Sequence, residues 1–390
     1  MPGILFVTGS LDHGGAERQA IALANGMAQR GYECRFAYVK RDAAQLERLR
    51  LREGARCLGA AAYLDLRAVK GLAAQLLASA PSAIVAANGY ALMYAWLALR
   101  AARRRLPLVA TFHSTRLQGA KERLQMLAYR LLFWTSSCAV FVCERQRRHW
   151  LRRALFSRRN EVIYNGVDTD AFRDRWSPAE RAALRASLGL READYVIGMV
   201  ALLRPEKNPL QLIDAVAALR ARAIPARALL IGDGEMRPAI EARARALGIA
   251  GEVVTTGIQQ DVRPLIAICD VVVLCSLTEA FSMAALEAMA IGRPVVHSDV
   301  GGAAEMIEPG RNGLLFPVGD TRALVEGLAA LVDPRVSAAM GRNARARVET
   351  RFSERSMVDG YERLLLRLVG REQRPAPLQP DHGGRAKTTQ

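Results

Sequence analysis

Residues 271–298, VVVLCSLTEAFSMAALEAMAIGRPVVHS, read as an apolar run (Val271–Leu274), a polar loop, a helix from about Phe281 and a second apolar run (Pro294–His297). Continuous apolar strands joined through a helix belong to parallel sheets covered on both faces. The pattern extends in both directions. Gly313–Phe316 follows it, and Val196–Val200, Ala228–Ile231 and Val253–Thr256 precede it. A second series fills the first half: Ile4–Thr8, Cys34–Val39, Ala83–Ala87, Leu108–Phe112, Ala139–Val142 and Glu161–Tyr164. Two series of about 170 residues each are more than one open sheet holds.

The sequence therefore predicts an α/β chain of two doubly wound, Rossmann-like parallel-sheet domains facing each other across a cleft. The first covers residues 1–170 and the second 191–352, with an interdomain segment at 171–190 that carries turn residues and charge but no strand pattern. An amphipathic helix at 353–370 and a Pro- and Gly-bearing tail at 371–390, expected to be disordered, complete the chain.

The formal charge is +17. Residues 1–170 hold 26 Lys and Arg against 12 Asp and Glu, while the remainder holds 29 against 26. The basic first half calls for an anionic partner: nucleic acid, an acidic membrane surface or a phosphorylated substrate. No helix-turn-helix, aromatic RNA-binding motif or zinc finger accompanies that charge. The six cysteines form no C-x-x-C pair and read as buried thiols in a reducing compartment. The five histidines show no metal-ligand spacing, so no metal is expected. Gly71–Leu99 lacks charge over a length that could span a bilayer, but Gln75, Ser79–Ser82 and Asn88-Gly89 break it into helix, short strand and helix. No signal peptide is read at Met1, and the expected location is the cytoplasm.

In such sheets ligands collect at the carboxyl ends of strands. After the first strand, Gly14-Gly15 brings backbone N–H groups to a helix start, which suits an anion; a plain tight turn is the alternative. The loop is not G-x-G-x-x-G, which disfavours a nicotinamide cofactor. Asp12, His13, Glu17 and Arg18 read mostly as solvent-facing. His113 ends a strand ahead of Ser114, Thr115 and Arg116, where it can hydrogen-bond a sugar hydroxyl or handle a proton; a structural histidine is the alternative.

Arg204 and Lys207 flank a Pro-Glu turn before a helix, a setting for a diphosphate as much as for two surface charges. Glu279 and Glu287 bracket the start of the next helix, Glu287 on an apolar stretch where a carboxylate is costly unless paired or bound to ligand hydroxyls. The N–H groups of Phe281, Ser282 and Met283 are placed to meet an anion. Carboxylates for hydroxyls and amides for phosphate together describe a sugar nucleotide; a cap and a core ion pair are the alternative.

These residues, with "GGAER", "FHS", "VIYNGVDTDAF", "RPEKN", "IGDGEMRP", "VGGAAEMI" and "NGLLF" in order from Gly3 to Leu368, resemble the retaining glycosyltransferases of family four, with the GT-B fold. The resemblance implies that Glu287 holds the nucleotide ribose and Glu279 a hydroxyl of the donor sugar. Arg204 and Lys207 would grip the diphosphate, Gly15 would approach phosphate and acceptor, and His113 would line the reaction centre. Gly232–Gly234 would form a loop near the nucleotide, and the last helix would cross back to the first domain.

The implied donor is a UDP- or GDP-linked hexose, with no cofactor and no metal. The implied acceptor is a glycan or lipid-linked hydroxyl in polysaccharide or lipopolysaccharide synthesis. Two departures stand out. Leu202 occupies the place where the family often has an arginine, and Ala280-Phe281-Ser282 replaces a Gly-Phe-Gly type segment, narrowing the expected donor site. Arg103–Arg105, Arg116, Lys121, Arg123, Arg130 and Arg145 through Arg159, beside Trp134 and Trp150, suggest peripheral docking on an anionic membrane; a solvated arginine face is the alternative. A basic nucleic-acid-binding protein and a GT-B epimerase or phosphorylase remain the competing functions.

Overall fold

The computed structural model describes residues 2–12, 14–113 and 119–372. Arg116, the side chains of Lys121 and Arg123, and the expected tail from Gln373 onward lie outside the described residues. Strands β1 (Gly3–Thr8), β2 (Glu33–Tyr38), β3 (Ala55–Cys57), β4 (Ala83–Ala87), β5 (Leu108–Phe112), β6 (Cys138–Phe141) and β7 (Asn160–Val162) form one sheet, ordered β3-β2-β1-β4-β5-β6-β7. Strands β8 (Tyr195–Val200), β9 (Ala226–Ile231), β10 (Val253–Thr255), β11 (Val271–Leu274), β12 (Val295–Ser298) and β13 (Leu314–Phe316) form the second, ordered β10-β9-β8-β11-β12-β13. The ladders are parallel throughout. Each order reverses once, at β1/β4 and at β8/β11, and there the loops diverge to open a crevice at the strands' carboxyl ends.

The apolar runs become these strands because both faces of each sheet are covered. Leu5, Val7, Ile84 and Phe112 pack under the helices Asn88–Ala101 and Gly119–Thr135, while Ile4, Phe6 and Phe36 face the helix Gly15–Gln29 and the last helix. Strand β3 was not expected. Its three residues, Ala-Arg-Cys, sit at the sheet edge and are partly or fully exposed, so they carry no apolar run.

The helix Pro334–Arg351 belongs to the second sheet's layer, burying Met340, Ala344 and Val348. The backbone then crosses at a bridge between Val167 and Ser353, and the helix Glu354–Glu372 lands on the first sheet. There Tyr361, Leu364 and Leu365 join Ile4, Phe6 and Val140 in one core. A Cβ at Gly26 would lie 2.5 Å from Val358 Cγ2, so glycine permits the close approach of this helix to Gly15–Gln29. Arg30 pairs with both Asp359 and Glu362 at the same contact.

The uncharged stretch 71–99 splits as expected into the end of the helix Leu66–Ser79, β4 and the helix Asn88–Ala101. No helix among the described residues is long and apolar enough to cross a membrane. Five of the cysteines are buried free thiols, and burial pushes Cys143 up to about 12. Cys57, on edge strand β3, is exposed and corrects the expectation of burial.

Candidate active site

A cleft of about 1310 Å³ lies between the carboxyl edges of the two sheets. Gly15 and His113 line it from the first sheet; Arg204, Lys207, Glu279, Phe281, Ser282 and Met283 line it from the second. Gly232, Gly234 and Glu287 do not line it.

On the first wall, Gly14 is the N-cap of the helix Gly15–Gln29, and the Glu17 carboxylate folds back over this helix start, filling the space beside Gly14 and accepting its own backbone N–H, so the expected anion site there holds a carboxylate. His113 follows β5. Its N–H donates to Asn88 Oδ1 at 3.2 Å, and its Nε2 lies 3.3 Å from Thr111 Oγ1. Burial pushes its pKa down to about 4, so at neutral pH the ring is uncharged and acts as a hydrogen-bonding group rather than a cation. Asn88 itself was missed. It reads as half of an Asn-Gly turn, but it starts a helix at φ +69° and lines the cleft.

On the second wall, Arg204 is exposed at the mouth, and Lys207 Nζ donates to Glu279 Oε1 at 2.6 Å. This pair joins the loop after β8 to the loop after β11, reinforced by Leu277 N–H donating to Glu206 O at 2.8 Å. The helix begins at Met283, two residues later than expected. Ser282 is its N-cap, accepting from Ala285 N–H at 3.3 Å. The first-turn amides of Met283 and Ala284 thus remain available at the cleft surface. Phe281 is buried between Tyr164 and Phe352, with ring centroids at 5.3 and 5.4 Å. It is a packing residue that sets the helix position.

Gly232 and Gly234 act one layer back. A Cβ on Gly232, at φ +143°, would meet Ala201 O at 1.9 Å, and one on Gly234 would meet Leu203 O at 2.5 Å. Leu203 N–H donates to Asp233 O at 2.9 Å. The Gly-Asp-Gly turn therefore braces the loop that presents Arg204 and Lys207. Gly301 and Gly302 do the same beneath Glu279 and Phe281, where a Cβ would meet Glu279 O at 2.2 Å and Phe281 Cδ2 at 2.4 Å.

Glu287 is 1% exposed and forms an ion pair with Arg18, which projects from the helix Gly15–Gln29 on the opposite wall. The sequence left Arg18 ambiguous, in a group read mostly as solvent-facing. Instead burial, with Arg48 nearby, brings its guanidinium down to about 10. No local pattern reveals this pair, because its members are far apart in sequence.

The walls are further held together by Glu305, whose carboxylate accepts the N–H groups of Glu144 and Arg145, both at 2.8 Å, and the Tyr164 hydroxyl at 3.0 Å. A second-sheet side chain thus caps a first-sheet helix. Arg145 also pairs with Asp299, which removes it from the expected basic docking face. Trp150 leaves that face too; it is buried against Phe112. Trp134 stays exposed. Among the described residues no cluster of metal-ligating side chains occurs.

Comparison with known proteins agrees with this architecture. The profile of the glycosyl transferases group 1 matches residues 180–347, and that of glycosyltransferase family 4 matches residues 13–171. The chain is 32% identical over 270 residues to the protein EpsD of Bacillus subtilis (strain 168), spanning 67% of this chain and 70% of that one. It is 28% identical to an Escherichia coli UDP-Gal:alpha-D-GlcNAc-diphosphoundecaprenol alpha-1,3-galactosyltransferase, over 53% of this chain and 54% of that one, about half of that relative's length. Among solved structures, Anabaena HepE in complex with UDP superposes with a TM-score of 0.83 at 25% identity, covering 94% of this chain and all of that one. The same protein has been solved with UDP-glucose.

Proposed function

The chain belongs to the group 1, family 4 glycosyltransferases, nucleotide-sugar enzymes of the GT-B fold, and we propose that it moves a hexose with retention of configuration from a UDP- or GDP-linked donor to a hydroxyl of a glycan or lipid-linked acceptor. The acceptor belongs to cell-surface polysaccharide or lipopolysaccharide synthesis and is met at the cytoplasmic face of a membrane. The observation that carries this reading is the meeting, in one cleft, of the Lys207–Glu279 pair and the open start of the helix Met283–Ile291 with His113 opposite. HepE's UDP complexes and the diphosphoundecaprenol acceptor in the Escherichia coli relative's name support the donor and acceptor classes.

In the proposed reaction the acceptor oxygen forms its bond to the anomeric carbon on the face from which the nucleoside diphosphate departs, and the departing phosphate takes the acceptor's proton. Lys207, Arg204 and the amides of Met283 and Ala284 stabilise the charge growing on that phosphate, so no metal is required. Glu279 accepts a donor-sugar hydroxyl, and neutral His113 hydrogen-bonds the sugar beside the reacting carbon. Ribose hydroxyls displace Arg18 from Glu287, and Arg18 turns to the diphosphate, supplying the cation that Leu202 does not. Closure of the walls excludes water.

Calorimetric titration with uridine, guanosine, adenosine and thymidine diphosphates tests the reading. Binding of one diphosphate without magnesium, lost in Lys207→Ala, is expected. Absence of binding by all four overturns it.

A further inference from the structure

The helix Gly119–Thr135 buries Met126 and Phe133 against the first sheet. On its outer side Leu124, Leu127, Ala128, Leu131 and Trp134 are all exposed, at positions three or four apart on one face. Leu124, Leu127 and Leu131 are 70%, 53% and 58% exposed and Trp134 is 42%. From Leu124 to Thr135 the only charged residue is Arg130, which is half-buried and off this face. A solvated helix normally turns its polar side outward; here the outward side is the apolar one. Trp134 stacks on Phe156, itself exposed, at 5.6 Å.

The topology fixes what surrounds this stripe. The helix runs from the cleft edge of the sheet, after β5, to the opposite edge, before β6. That opposite edge also receives the turns into β5 and β7, tied to β6 by Ser137 N–H donating to Leu108 O and Ala139 N–H to Arg159 O. Those turns carry Arg103, Arg104 and Arg105, and Arg152, Arg153 and Arg158. All six are exposed, and none makes an ion pair with a described residue.

We infer that this face, the exposed side of the helix from Leu124 to Trp134 with Phe156 and the six arginines, docks on the surface of an anionic lipid bilayer. A helix lying flat on such a surface buries its leucine face among the acyl chains and keeps its tryptophan and flanking arginines at headgroup level, so apolar area and positive charge act together. Two other occupants fit poorly. A second copy meeting this patch with the same patch would oppose like arginine clusters. Residues 373–390 carry Arg374, Arg385 and Lys387 against Asp381 and little apolar content, so they match neither part. The inference deepens the lipid-linked acceptor reading: the docked helix starts at the cleft edge, just past His113, so the mouth lies close to the bilayer.

The test is flotation of the full chain with vesicles of phosphatidylcholine, with or without about 30% phosphatidylglycerol, from about 0.05 to about 0.5 M salt. Binding is expected only to the anionic vesicles, weakening as salt rises. Leu127→Ser/Leu131→Ser should lower the affinity at least tenfold at every salt concentration, and Arg152→Ala/Arg153→Ala should flatten the salt dependence. If the leucine variant fails to fold, the arginine variant decides alone. Equal binding to both vesicle types, no binding, or a dimer that Leu127→Ser/Leu131→Ser dissociates overturns the inference. Nucleoside diphosphate titration of the same preparations keeps this failure distinct from failure of the transferase reading.

Discussion

Arg18 and Glu287 form an ion pair across the cleft, joining the first turn of a helix on one wall to the buried middle of a helix on the other. The two ends are unequal: the Glu287 side chain is 1% exposed and that of Arg18 is 31%.

That inequality predicts unequal costs. Arg18→Ala leaves a buried carboxylate unpaired and should cost about 3–5 kcal/mol. Glu287→Gln leaves an arginine that can turn to water in the cleft, and should cost about 1–2 kcal/mol. Denaturant unfolding of both variants checks the order.

Arg18→Gln also separates donor contacts. It should weaken UDP about tenfold relative to uridine, because only the diphosphate needs the freed guanidinium. Calorimetry with both ligands reads the ratio; an unchanged ratio removes Arg18 from the phosphate site.

Lys207 and Arg204 differ in placement, one paired to Glu279 inside the cleft and one exposed at its mouth. Lys207→Ala should lower kcat/KM by about 10²–10³, and Arg204→Ala by about tenfold or less. Steady-state kinetics with the donor that binds will show whether Arg204 has taken over from Leu202.

His113 titrates near 4, so kcat should show no acidic limb near pH 6.5. His113→Gln, which keeps a neutral donor, should retain more activity than His113→Ala. In stability the sign is the reverse of a paired histidine. The native pKa lies below the unfolded value of about 6.5, so the contribution is full above that pH and is lost as pH falls toward 4.

Glu354 behaves oppositely. Burial first, and then the charge of Asp168, raise it to about 7. Its contribution is full below the unfolded value of about 4.3 and is lost as pH rises through 7. Glu354→Gln should therefore raise Tm at pH 8 relative to the parent and leave it nearly unchanged at pH 4. Thermal melts across that range read the crossover.

The strands were legible because burial on both faces writes itself as unbroken apolar runs such as Val271–Leu274, and β3 was not, because an exposed edge leaves no such run. Loop residues such as Lys207 and Glu279 were legible as a set, but not their bond to each other, since spacing does not encode which loops meet. Gly232 and Gly234 were placed by the resemblance in a loop near the nucleotide, while their work is against the neighbouring loop at Ala201–Leu203. Trp150 and Trp134 look alike in an arginine-rich segment; only the packing of Phe112 tells the core residue from the surface one.

The return of the last helix to the first sheet has a consequence for synthesis. Ile4, Phe6 and Val140 are covered by Tyr361, Leu364 and Leu365, which leave the ribosome only after the whole second sheet has been made. At ordinary elongation rates, roughly 10–40 s separate completion of β7 from emergence of that helix. Over that interval the nascent amino-terminal half has one bare apolar flank, and a chaperone would find its binding surface there.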